Sequence, residues 1–88
     1  MEKMTVKVID QSGFHARPMT IAVKAASMFI GTVGVAYKGK RVDMKSILGV
    51  LSLGVPYEGE ITIDCEGDGE KEALEEILKA MREARVIA

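Results

Sequence analysis

The sequence predicts an α+β fold: a four-stranded antiparallel sheet with three helices on one face, in the order βαββαβα. Three observations carry that prediction. Apolar residues alternate with polar ones in several short runs, the period of strands that have one covered face. Between these runs lie three stretches that are rich in apolar residues at helical spacing or bounded by helix caps. Tracts of Gly, Asp, Ser and Pro separate the elements, as turns do.

From Lys3 to Ile9, Met4, Val6 and Val8 alternate with Thr5 and Lys7, which predicts a half-buried strand. Asp10, Gln11, Ser12 and Gly13 end it with turn residues. Met19, Ala22, Val23, Ala26 and Phe29 then fall on one helix face. Pro18 suits the first turn, where a missing N–H costs nothing, and should push Arg17 out of the helical region. The helix is expected to begin at about 16 to 18 and to end before Gly31. Thr32 to Tyr37 and Lys40 to Met44 predict two strands joined by a tight turn at Lys38-Gly39. Ser46 as N-cap and Gly54 just past the end bracket a short helix over Ile47 to Leu53, which a buried strand could also explain. Glu60 to Glu66 alternates again, with Ile61, Ile63 and Cys65 inward. Ala73, Leu74, Ile77, Leu78 and Met81 form the stripe of a last helix. Glu70 and Glu72 stand in its first turn and Arg82 and Arg85 in its last, as the helix dipole favours.

A chain of 88 residues has room for one domain, 1–88, and for one core. Such a core cannot also enclose a deep cavity, so chemistry is expected at the surface. The single cysteine excludes an intramolecular disulfide and a CxxC pair. No apolar run nears the ~20 residues of a membrane span, and the N-terminus has no signal-type core, so a cytoplasmic location is expected. The net charge of −1 excludes a general nucleic-acid binder. It hides an asymmetry: residues 1–56 carry eight Lys/Arg against three Asp/Glu, and residues 57–88 carry four against ten. The positive part also holds the one histidine, which points to an anionic ligand or partner there.

That histidine lies in Gly13-Phe14-His15-Ala16-Arg17-Pro18, between a turn and a helix start. Free N–H groups emerge from a first helical turn with partial positive charge, and Arg17 adds a guanidinium suited to phosphate oxygens. A neutral imidazole among such donors is a competent nucleophile toward a phosphoryl group, and the phosphohistidine formed is a dianion they can hold. The plainer alternative is a turn histidine beside a solvated arginine. Ser46 has an equally plain account as a helix cap. Ile47, Leu48 and Leu51, however, exceed what one short helix needs to anchor itself: either the helix is buried on most sides, or part of it meets a partner. Cys65 alternates with core residues and is expected to be a structural thiol. Neither a P-loop, nor a GxGxxG run, nor a metal-spaced set of ligands occurs, so no cofactor or metal is expected.

Taken with Met44-Lys45-Ser46-Ile47-Leu48-Gly49-Val50-Leu51-Ser52-Leu53-Gly54, the His15 segment closely resembles the HPr family. These are the histidine phosphocarriers of the bacterial sugar phosphotransferase system. The resemblance spans essentially the whole chain, and two separate motifs agree. It implies an open-faced β-sandwich. It also implies that His15 accepts a phosphoryl group from phospho-enzyme I through Nδ1 and passes it to sugar-specific IIA components. Arg17 would steady the phosphate, and the Ala16 and Arg17 amides would face it. Ser46 matches the serine modified by HPr kinase/phosphorylase in Gram-positive-type bacteria, where the product is also a corepressor for a catabolite-control transcription factor. Thr20, Ile47, Leu48 and Leu51 match docking positions.

Two residues depart from the family pattern: Phe14 and Met19 stand where smaller residues are usual, which bears on partner preference. On this reading the protein is a stoichiometric carrier, not an enzyme. It has no direct nucleic-acid contact and no membrane insertion, and a monomer is the simplest form for a shuttle with many partners. Three rivals remain. A purely regulatory HPr-like module would lack His15. The nitrogen-related phosphotransferase branch would lack the Ser46 motif. A ligand-binding regulatory α+β subunit would have no need of His-x-Arg-Pro at a helix start.

Overall fold

The computed structural model describes residues 1–88. The elements are β1 (Glu2–Lys7), α1 (Ala16–Ser27), β2 (Thr32–Tyr37), β3 (Lys40–Asp43), α2 (Ile47–Ser52), β4 (Glu60–Glu66) and α3 (Glu70–Glu83). This is the predicted order. The strands form one antiparallel sheet in the order β1-β4-β2-β3. Register places Met4 and Val6 beside Ile63 and Ile61, and Val33 and Val35 beside Cys65 and Ile63. Residues paired across strands share a face, so one side of the sheet is apolar throughout. The helices cover that side. α3 packs on β4 and β1, α2 packs on β3, and α1 packs against both helices.

One core of 19 buried residues results, with Ile61, Ile63 and Cys65 of β4 fully enclosed. Burial pushes the Cys65 thiol pKa up, as befits a structural thiol. Across β2 and β3 the turn at Lys38-Gly39 has positive φ at both central residues, the arrangement whose twist matches the strands it joins. On the open face Arg41 reaches across Gly34 to clasp Asp64 with two hydrogen bonds of 2.9 and 2.7 Å. A Cβ on Gly34 would overlap the guanidinium. Asp64 is the one buried charged residue, and this clasp satisfies it.

Four local expectations need correcting. β1 spans Glu2–Lys7 instead of Lys3 to Ile9, and Met4 is 47% exposed because an edge strand is only partly roofed by α3. Val8, past the strand, is fully buried and bridges to Ile87. Arg17 is helical despite the proline after it. Its place in the first turn lets Pro18 sit where no N–H is required, and Met19 N–H closes the first turn on the His15 carbonyl at 3.2 Å. Arg85, expected in the last turn of α3, lies beyond it at φ 62°. There Val86 N–H donates to Met81 O and Arg85 N–H to Arg82 O, both at 2.9 Å. That is a Schellman stop, sealed by the buried pair Val86 and Met81.

Candidate functional site

Past β1 the chain turns on hydrogen bonds made by Asp10. Its carbonyl accepts from Gly13 N–H at 2.8 Å, and its Oδ1 accepts from Ser12 N–H at 2.8 Å. Gly13 follows at φ +66°. Phe14 N–H then donates to Val55 O at 2.9 Å, and the Phe14 ring is buried. These bonds carry His15 to the N-cap of α1 in extended conformation, φ −109° and ψ 170°.

The His15 side chain is 41% exposed and does not cap the helix. Its ring turns back to Asp10, with Nε2 3.0 Å from Oδ2. Ala16 and Arg17 therefore keep free N–H groups at the start of α1, while Pro18 has none to offer. Arg17 is exposed and takes part in none of the three ion pairs. An accessible imidazole thus lies beside two unpaired amides and belongs to the same turn as an uncommitted guanidinium. Such a group can attack an electrophile and hold an anion. The surface hollows lie elsewhere, mostly around Met28 and Phe29 past the other end of α1, and His15 lines none of them.

Asp10 is the residue that sequence reasoning missed. It reads as a turn former, and only the fold shows that its second oxygen faces the imidazole. Ser12 N–H first, and His15 after it, hold the Asp10 carboxyl pKa below its usual 3.8. A carboxyl with a lower pKa folded than unfolded lends stability above the unfolded value and loses it as pH falls through the folded one. The Ser12 amide resonance is therefore expected to titrate with a midpoint below 3.8, as the turn opens. A midpoint at or above that value in an NMR titration would contradict the geometry.

The second motif lies on α2, which packs against α1. Ser46 is its N-cap and accepts from Gly49 N–H at 3.0 Å, so the predicted short helix and its cap are both present. Only Val50 of α2 is fully buried. Leu48 is 78% exposed, and Ile47 and Leu51 are half-buried. The helix is thus not enclosed on most sides. Thr20 is exposed on α1, its hydroxyl donating to Ala16 O at 2.8 Å, and its neighbour Ile21 is an exposed apolar residue that periodicity did not single out. The Lys45 ammonium donates to Phe29 O at 2.6 Å, past the end of α1.

With this geometry in place, the sequence matches the family model for the PTS HPr component phosphorylation site over residues 2–83. The chain belongs to the HPr family. Its fold is close to that of the histidine-containing phosphocarrier protein of Mycoplasma, with TM-score 0.95, 29% identity and 98% of each chain covered. HPr of Bacillus anthracis is similar at TM-score 0.82 and 34% identity, over 90% of this chain and 94% of that one. Crh of Bacillus subtilis, a catabolite-repression protein described as a swapped, intertwined dimer, is 36% identical at TM-score 0.74, with 96% and 97% covered. Against the usual HPr pattern, Phe14 and Met19 both point into the core, at 7% and 0% exposure. Both side chains are enclosed, so neither presents much surface of its own to a partner.

Proposed function

We propose that the protein is a phosphoryl carrier of the sugar phosphotransferase system. His15 takes a phosphoryl group at Nδ1 from phospho-enzyme I and hands it to sugar-specific IIA components. Arg17 and the Ala16 and Arg17 amides hold the phosphate. The observation that carries this reading is the accessible His15 ring at the N-cap of α1, bonded through Nε2 alone, in a chain of the HPr family. The work is done in the cytoplasm by one domain, 1–88, acting as a monomer, because one exposed site must meet several partners in turn. Incubation with enzyme I and phosphoenolpyruvate is expected to add one acid-labile phosphate, read by intact mass. No added phosphate would overturn the proposal.

Docking uses Thr20 on α1 and Ile47, Leu48 and Leu51 on α2, whose apolar side chains are wholly or partly accessible. Ser46, at the start of α2, is a regulatory site for HPr kinase/phosphorylase, and its phosphorylated form is read by a catabolite-control transcription factor. A phosphate there suits the helix dipole, so the fold tolerates it. Lys45 beside it, its ammonium bonded to the neutral carbonyl of Phe29, keeps its charge and offsets part of the phosphate's. The added charge stands beside Leu48, repels an acidic donor surface and attracts a regulator that presents arginines. Ser46→Asp is expected to slow phosphorylation by enzyme I while changing stability by no more than ~1 kcal/mol. Ser46→Ala loses the cap, costs ~1 kcal/mol and leaves transfer intact. Thermal melts and transfer rates check both variants. Unchanged transfer in Ser46→Asp and in the phosphoserine form would leave Ser46 a cap alone.

A further inference from the structure

The Asp10 carboxylate has a place in the chemistry of His15 beyond its part in the turn. Oδ1 is occupied by Ser12 N–H at 2.8 Å, which leaves Oδ2 to face Nε2 of the ring at 3.0 Å. An ionised carboxylate has only acceptors, so Nε2 must be the protonated nitrogen of the neutral imidazole. Nδ1, which has no partner in the chain, then holds the lone pair. Asp10 is 22% exposed at its side chain, and the ring stands over a turn fixed by four hydrogen bonds. Those are Ser12 N–H to Oδ1, Gly13 N–H to Asp10 O, Phe14 N–H to Val55 O and His15 N–H to Gly13 O.

We infer that Asp10 is a positioning residue for phosphoryl transfer: it selects the Nε2–H tautomer of His15 and offsets the charge that develops on the ring. The inference rests on the proposed acceptor role of His15. In the step itself the Nδ1 lone pair forms a bond to phosphorus. The bond from phosphorus to the donor atom breaks, and its electron pair leaves with the donor. No proton leaves His15. The ring becomes an imidazolium bearing a phosphoryl dianion, with the Nε2 proton still on nitrogen and directed at Oδ2. A bond from a neutral ring to an ionised carboxylate thereby becomes an ion pair as the reaction proceeds, the same service a buried aspartate renders in a serine-protease triad.

Asparagine separates this role from a structural one. Asn forms the same turn as Asp, its Oδ1 accepting from Ser12 N–H. Its amide group would then present N–H to Nε2, a donor to a donor, and the ring would relieve the conflict by moving its proton to Nδ1. That tautomer carries its lone pair on Nε2, bonded to the amide, and has none at Nδ1 to attack with. Asp10→Asn is therefore expected to melt like the wild type yet accept phosphoryl from enzyme I about tenfold more slowly, in turnover and not in KM. Asp10→Ala frees the ring, which retains access to the Nε2–H form, and slows acceptance roughly three- to tenfold through loss of one part-exposed charge-assisted bond.

Ring nitrogen NMR reads the tautomer without any transfer partner: Nε2–H in the wild type, a shift toward Nδ1–H in Asp10→Asn. The inference is overturned if Asp10→Asn matches the wild-type rate, if it restores the rate lost in Asp10→Ala, or if its ring stays Nε2–H. A wild type that accepts no phosphoryl group at all would instead overturn the carrier reading. The nitrogen spectra would then still decide whether Asp10 sets the tautomer.

Discussion

His15→Ala is expected to abolish phosphoryl acceptance while leaving the fold in place. The chain has no second histidine to substitute. Cys65, the other strong nucleophile by type, is buried and its thiol pKa is pushed up by that burial, so little thiolate is available. The structural cost is small because the ring makes one hydrogen bond, to Asp10, and contributes no side-chain cap to α1. Loss of one part-exposed bond is worth ~1 kcal/mol or less, too little to unfold the domain and confuse the result. Arg17→Ala gives the graded companion. Its guanidinium has no ion partner in the free protein, so its removal leaves stability unchanged but takes charge-assisted contacts from the phosphate. Transfer is expected to slow roughly tenfold. Intact mass after incubation with enzyme I and phosphoenolpyruvate reads both variants. An acid-labile phosphate on His15→Ala would place the acceptor elsewhere, and a wild-type rate for Arg17→Ala would remove its assigned role.

What the sequence disclosed about this site and what it withheld follow a physical division. Periodicity reports which side of an element meets the core, so the order of seven elements and the inward set on β4 were legible. Caps are local as well, which is why Ser46 and Gly54 bracketed α2 in advance. Contacts that depend on the path of the chain were not legible. Asp10 and His15 are five residues apart, and nothing in that spacing says that a turn through Gly13 folds one onto the other. The bond from Lys45 to the carbonyl of Phe29 is of the same kind, since the residue after β3 and the end of α1 meet only in the fold. The stop of α3 was hidden because arginine occupies a left-handed position where glycine is the usual signal. Periodicity placed Met19 on the inner face of the first helix, where it is fully buried, but it assigned no side to Phe14, which lies before the helix. The turn reverses direction between Phe14 and His15, burying one and exposing the other.

Gly13 is the residue on which that reversal depends, and Gly13→Ala is expected to lower stability by ~2–4 kcal/mol. Two costs combine. At φ +66° an alanine pays the left-handed penalty of ~1–2 kcal/mol. Its Cβ would also overlap the carbonyl oxygen of Val55 and press on Pro56, both backbone and unable to swing aside. That carbonyl accepts the Phe14 N–H at 2.9 Å, so relief of the overlap loosens a bond that holds the turn to the loop before β4. Gly54 supplies the control. Its φ is +60°, but an added Cβ there meets nothing within 4 Å, so Gly54→Ala carries the conformational penalty alone. For a domain of this size the pair is expected to differ in melting temperature by roughly 5–15 °C, with Gly13→Ala the lower. Amide NMR shifts at Ser12, Phe14 and Ala16 should move in Gly13→Ala and stay put in Gly54→Ala. Phosphoryl acceptance should fall in the first, at temperatures where it is still folded, because His15 no longer stands over Asp10 and the first turn of α1. Equal melting temperatures would mean that the loop of Val55 and Pro56 yields freely, and that the site is not held from that side.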